Sequence, residues 1–155
     1  TRENLKRLKV LGRPRPGSVG LKKVENLTGL ELCVNLKNLD LRRNRVSDIS
    51  PLASLTNLKM LDVFGNQVSD ISPLASLTNL TWLDLRGNRI SDVSPLASLN
   101  NLTSLDLGIN QISDVSPLAS LTNLTELYLY GNPLSQESID VHVPNLKARG
   151  VSVSL

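Results

Sequence analysis

The chain is poor in the side chains from which reactive sites are built. Its 155 residues include one histidine, His142, and one cysteine, Cys33. A lone cysteine excludes an internal disulfide, and one His with one Cys cannot supply the ligands of a transition-metal site. Nor can the two form a Cys-His pair or part of a Ser-His-Asp arrangement, because they fall in distant parts of the chain. No glycine-rich phosphate loop is present. No apolar run approaches the ~18 residues of a membrane span, and no signal-peptide pattern is seen. The first residue is Thr1 rather than methionine, which predicts a mature form or an excised segment. Aromatic residues make up 3% of the chain, so aliphatic side chains must fill its interior.

Charge is unevenly spread. Residues 1–35 carry eight basic groups (Arg2, Lys6, Arg7, Lys9, Arg13, Arg15, Lys22 and Lys23) against Glu3, Glu25 and Glu31, while the remainder carries nine basic and eleven acidic groups. A basic end can attract nucleic acid or an acidic partner. No aromatics interleave with these charges, so a solvated cap is the preferred reading and nucleic-acid binding is not expected.

What the chain has in abundance is leucine, and it is periodic. Residues 36–57, 58–79, 80–101 and 102–123 align without a gap at a period of 22. Each reads LxxLxLxxNxhSDhSPLASLxN with h as Val or Ile, and Val63 replaces the third leucine once. A fifth copy begins at Leu124 and then diverges. In LxxLxL the fourth and sixth residues alternate inward on a short strand, and stacked coils bring such strands together as a parallel sheet. The recurring Asn44, Asn66, Asn88, Asn110 and Asn132 are expected to satisfy backbone groups where the chain leaves the strand, and to satisfy one another as a stack. Ser50-Pro51 and its copies suggest an N-cap followed by proline at the first helical position, opening one helical turn on the outer side. Cys33 falls where later copies place Leu55, Leu77, Leu99 and Leu121, and is expected to be a small core residue. One coil alone cannot hide its apolar face, so stability must come from stacking.

These motifs resemble the leucine-rich-repeat family, specifically the 22-residue subclass of internalin-like bacterial proteins and phosphatase-regulator-type repeat proteins. The resemblance covers residues 36–134 closely and residues 24–35 more loosely, and the stretch 132–154 is similar to the closing segment of bacterial members. It implies an α/β repeat solenoid: a right-handed leucine-rich-repeat coil with a parallel sheet on its concave face and short helical turns or loops on its convex face. It also implies protein recognition on the concave side. The whole chain is expected to be one domain, with an irregular basic N-terminal repeat or cap (1–35), four regular repeats (36–123) and a divergent last repeat with a C-terminal cap (124–155). Within the last segment a short helix is expected at about 136–142 and a strand at Val151–Leu155. For residues 3–11, a strand through Leu5, Leu8 and Val10 and a short capping helix are both open, the strand slightly favoured.

The outer halves of the repeats are nearly identical, and the differences gather where side chains should face the concave wall. The third column reads Asn38, Met60, Trp82, Ser104, Glu126; the fifth Asp40, Asp62, Asp84, Asp106, Tyr128; the seventh Arg42, Phe64, Arg86, Gly108, Tyr130, with Arg43 and Ile109 beside it in the eighth. All four aromatics and the only methionine stand in these columns. Aromatics, Met and Arg on one surface are the composition of a binding hot spot. A competing explanation is that aliphatics monopolise the core columns and leave aromatics only the variable ones. It does not account for their absence from the outer loops. The aspartates form a ladder whose ~5 Å spacing implies a repulsion of roughly 3 kcal/mol per neighbouring pair at an effective dielectric of 20. Arg42 and Arg86 can offset this, and a solvated, Arg-paired column is the expected state.

The sequence therefore predicts a non-catalytic protein-interaction module, expected to act as a monomer without cofactor or metal. Its candidate partner-binding residues are Trp82, Phe64, Tyr128, Tyr130, Met60, Arg42, Arg86, Asp62, Asp84 and Asp106. The alternative is a structural or regulatory spacer of a larger multidomain protein, packing in cis on a neighbouring domain. Asn-Leu-Thr at Asn26, Asn79, Asn101 and Asn123 matches the glycosylation sequon, but Asn and Thr are repeat positions here and coincidence is expected.

Overall fold

The computed structural model describes residues 23–155. The expectations for residues 3–11 and for most of the basic N-terminal stretch lie outside the described residues. Among the described residues six three-residue strands, β1 (Asn38–Asp40), β2 (Met60–Asp62), β3 (Trp82–Asp84), β4 (Ser104–Asp106), β5 (Glu126–Tyr128) and β6 (Ser152–Ser154), form one sheet in sequence order. All neighbours pair in parallel, and each register step from β1 to β5 is one repeat: Leu39 faces Leu61, then Leu83, Leu105 and Leu127. The period of 22 residues is thus the length of one full coil.

The core is a stack of aliphatic layers. Leu61, Leu83, Leu105 and Leu127 from the strands meet Val68, Ile90 and Ile112 from the turns and Leu74, Leu96 and Leu118 from the outer segments, all fully or almost fully buried. Cys33 closes its outer segment as Leu55 closes the next, in the expected column, but its burial departs from expectation. It is half-buried at the margin of this core, whereas Leu55, Leu77, Leu99 and Leu121 are buried. Among the described residues it belongs to the outermost coil, with a described neighbour on one side only.

The outer segments Ser50–Ser54, Ser72–Ser76, Ser94–Ser98 and Ser116–Ser120 are short 3-10 helices. The serine is not the N-cap. It is the first helical residue, and the cap position belongs to Ile49, Ile71, Val93 and Val115, whose side chains are apolar. The aspartate one residue earlier takes over the capping chemistry: Asp48, Asp70, Asp92 and Asp114 accept the Ser N–H two residues on at 2.8 Å. This is an Asx turn, which offers the backbone the same oxygen from further back.

Near-identity of the outer halves has a physical cause: the repeated polar groups bond to the preceding coil. Ser76, Ser98 and Ser120 hydroxyls donate to the carbonyls of Ala53, Ala75 and Ala97. The amides of Asn79, Asn101 and Asn123 donate to Thr56, Thr78 and Asn100. The sequon asparagines 79, 101 and 123 are therefore engaged within the solenoid.

The buried asparagine ladder differs from expectation in one respect. The amides do not satisfy one another. Asn88 accepts the Val68 N–H at 3.0 Å and donates to Val63 and Leu85 carbonyls at 3.0 and 2.9 Å, so each amide staples its own coil to the backbone of the one before. Orphaned backbone groups are the stronger demand, and an amide, donor and acceptor at once, meets an N–H and two carbonyls together inside the core.

The final coil closes with a helix longer than expected. A π-type segment, Ser138–His142, runs into α1 (Val143–Ala148). Pro144 offers no N–H and crowds the carbonyl four residues back, which favours the widened turn before it. Val143 and Leu146 are buried against the last coil, and the Arg149 guanidinium donates to the Ala119 and Leu121 carbonyls. β6 then completes the sheet at Ser152–Ser154, within the expected 151–155. Among the described residues no helix is long and apolar enough to cross a membrane.

Candidate functional site

The register turns the variable columns into three parallel tracks along the concave wall. Asn38, Met60, Trp82, Ser104 and Glu126 are aligned in the first, and Asp40, Asp62, Asp84, Asp106 and Tyr128 in the second. Every aspartate of the second track uses one carboxylate oxygen locally, accepting the N–H of the residue two further on: Arg42, Phe64, Arg86 and Gly108. These carboxylates hold the chain as it leaves each strand.

Arginine pairing along the ladder agrees with expectation, but its solvation does not. Arg42 binds both oxygens of Asp40 and lies 3.3 Å from Asp62. Arg86 stands 3.7 Å from both Asp84 and Asp106. Asp62 and Asp84 are nonetheless buried, at 8% and 6% exposure. Burial is the main reason both carboxyls titrate above the usual carboxylate range, Asp84 at about 6; the Asp106 and Asp62 charges push Asp84 further up, while the backbone N–H and Arg86 pull it down.

The third track is a packed ridge. The Arg86 guanidinium lies 4.2 Å from the Phe64 ring centroid and Arg43 lies 5.5 Å from it, so the ring is held between two cations. Arg86 also donates to the Tyr130 hydroxyl at 3.2 Å, while its Nε is buried without an acceptor. Tyr130 reaches this position because residue 108 is glycine: a Cβ there would stand 2.6 Å from the ring. Phe64, Arg86, Gly108 and Tyr130 thus interlock across four coils.

Around the ridge the candidates divide into two hollows. Trp82, Asp84, Arg86, Asp106, Tyr128 and Tyr130 line one of about 510 Å³, together with Ser104, Glu126 and Ser154. Arg42, Met60 and Asp62 line another of about 740 Å³ toward the N-terminal end, with Leu32 and Cys33, and Trp82 borders both. Tyr128 and Met60 are exposed at 37% and 45%, whereas Phe64, Trp82 and Tyr130 are half-buried. Among the described residues no group of three or more His, Cys, Asp or Glu is placed to hold a metal ion.

A family model for leucine-rich repeats, spanning two copies, matches residues 34–76, 78–120 and 101–147. The chain belongs to the leucine-rich-repeat family. Among solved structures this leucine-rich-repeat chain is similar to internalin C2 of Listeria monocytogenes str. 4b F2365, with 40% identity and a TM-score of 0.76 over 85% of this chain and 57% of that one. It is also similar to the internalin inlF of the same strain, with 34% identity and a TM-score of 0.66 over 85% of this chain and 44% of that one. A leucine-rich-repeat protein of Leptospira interrogans gives 25% identity and a TM-score of 0.78 over 86% of this chain and 35% of that one. The repeats are of the internalin-like bacterial type. The chain spans 57% or less of the length of these structures. Comparison with the curated proteins finds no match. Leucine-rich-repeat domains are in general non-enzymatic modules for protein interaction.

Two features of this repeat wall were not among the candidates. Ile109 is 55% exposed and takes a left-handed backbone, φ 54°, which a β-branched side chain rarely adopts. Arg43 takes the same conformation, φ 57°, and completes the Phe64 sandwich. The eighth column does carry a signal for this, since its other members are Gly65, Gly87 and Gly131, all at positive φ.

Proposed function

We propose that this leucine-rich-repeat segment is a non-catalytic module that binds a partner protein across its concave wall. Trp82 and Tyr128 serve as anchors, Met60 extends the contact, and the Phe64–Arg86–Tyr130 ridge supplies a rigid edge. Arg42 with the Asp62, Asp84 and Asp106 carboxylates sets the register electrostatically. The observation that carries the reading is the concentration of every aromatic on one wall, beside hollows, while the polar groups of the outer loops are spent on coil-to-coil bonds. A ridge already locked by internal contacts loses little conformational freedom on binding, which favours affinity. The chain acts as a single copy.

The test is capture of a partner by wild type beside a Trp82→Ala/Tyr128→Ala double variant, followed by affinity measurements on the single variants. Each single change is expected to weaken binding by more than about 1 kcal/mol. Undiminished capture by the double variant would place the contact away from Trp82 and Tyr128, and absence of capture by wild type would favour the spacer role instead.

A further inference from the structure

Resting on the concave-wall reading, the geometry points to a more specific site: the hollow over β4 between Trp82 and Tyr128 receives one lysine or arginine side chain of the partner protein. Shape is the first argument. In the register, Trp82, Ser104 and Glu126 are aligned, as are Asp84, Asp106 and Tyr128. Ser104 is the short member of its track, so the strands on either side carry larger groups over it. Two strand spacings, about 10 Å, separate Trp82 from the β5 side chains and leave the width of one extended side chain between them.

Charge is the second argument. Three carboxylates, Asp84, Asp106 and Glu126, face one guanidinium, Arg86. That guanidinium is already shared between Asp84, Asp106, the Phe64 ring and the Tyr130 hydroxyl. Glu126 accepts the Ser104 hydroxyl at 3.0 Å, and among the described residues no basic side chain forms an ion pair with it. The hollow therefore carries a surplus of negative charge between an indole and a phenol. A cation set between aromatic faces gains from both ring quadrupoles, and a carboxylate beside it adds a charge-assisted hydrogen bond. The same wall already uses this chemistry internally, where Phe64 lies between Arg43 and Arg86. An anionic or purely aliphatic occupant would meet repulsion or leave the carboxylates without a counter-charge.

Trp82 is the only tryptophan and borders both hollows, so its emission reports a ligand in either, and the amide shifts of Ser104 and Glu126 assign the change to this one. The experiment titrates the intact chain at low ionic strength with the blocked tripeptides Gly-Lys-Gly and Gly-Arg-Gly, with Gly-norleucine-Gly and Gly-Glu-Gly as controls. Trp82 fluorescence and amide chemical shifts are followed together. Either basic peptide is expected to give a saturable change centred on Trp82, Ser104 and Glu126, weakened at least about fivefold, or ~1 kcal/mol, by Glu126→Gln. Glu126 is exposed, so this variant leaves the core intact. An equal response to the norleucine peptide, shifts confined to the outer face, no saturable response, or an unchanged affinity in Glu126→Gln would each overturn the site. Those outcomes leave the partner reading standing if the Trp82 and Tyr128 alanine variants still lose the partner, so the two claims fail separately.

Discussion

The ring of Tyr130 occupies the space that a side chain on Gly108 would need, with the ring carbons 2.6–2.9 Å from the position of a Cβ. The contact joins two adjacent coils, and through the Tyr130 hydroxyl it extends to Arg86 one coil further back. A residue with no side chain thereby decides where an aromatic ring of the concave wall stands.

Gly108→Ala should displace that ring and break its bond to Arg86. The expected loss is about 1–3 kcal/mol, the usual cost of forcing atoms into filled space, read by urea unfolding. In a Tyr130→Ala background the same change should be nearly neutral, because the obstruction is gone. A double-mutant cycle showing no coupling between the two positions would refute the account.

Asn88→Ala should cost more than a typical surface change. It leaves the Val68 N–H without its acceptor inside the core, while the Val63 and Leu85 carbonyls each keep one donor, from Asn66 and Asn110. Stranding one buried group costs ~1–3 kcal/mol, so a loss of that size is expected. Asn88→Asp keeps the acceptor and loses the donors. It should not restore stability, as chemical denaturation of the two variants side by side will show.

The lattice of this solenoid was legible because one spacing governs it. A gapless period of 22 determines which residues share a column, and the Leu83 and Asp84 tracks follow directly from it. What the spacing could not convey was depth and reach. Asp62 and Asp84 are buried while Asp40 and Asp106 are only half-buried, although the four share a motif position, because depth depends on the side chains of neighbouring coils. Tyr130 leans back over Gly108, a direction that no periodic pattern contains. The Ser-Pro pair misleads because serine is a common cap, while the aspartate before it holds the better placed oxygen. The closing helix runs past the expected 142 because Pro144 sits in the first turn of α1, where a proline is tolerated.

Ile109→Asn should raise stability. A β-branched residue at φ 54° carries steric strain that asparagine tolerates in the left-handed region. Ile109 is mostly exposed, so little burial is lost, although its side chain touches Gly131. The expected gain is about 0.5–1 kcal/mol by thermal unfolding. A simultaneous fall in partner affinity would mark the strained side chain as part of the contact surface.

Asp84 makes stability depend on pH in an unusual direction. Its carboxyl titrates at about 6 in the folded chain, above its ordinary value of 3.8, chiefly because burial disfavours the charge. The folded state therefore holds the proton more tightly than the unfolded state does. Its stabilising contribution is complete below the unfolded value and is lost as pH rises through about 6. Each tenfold difference in proton affinity is worth ~1.4 kcal/mol, so the gain from neutral pH down to the unfolded value is at most ~3 kcal/mol. Asp62, also raised by burial, adds in the same direction. Asp48, Asp70 and Asp114 oppose it only at lower pH: the Ser50, Ser72 and Ser116 amides hold them below the usual range, so their contribution disappears as pH falls beneath 3.8. Stability should accordingly rise on acidification from neutral pH toward the ordinary carboxylate range and then decline. Asp84→Asn retains an acceptor for the Arg86 N–H and removes the titration, so its stability profile should be flatter over that window. A wild-type profile that falls steadily from neutral pH downward, or an Asp84→Asn profile parallel to it, would show that the buried carboxylate does not govern this response.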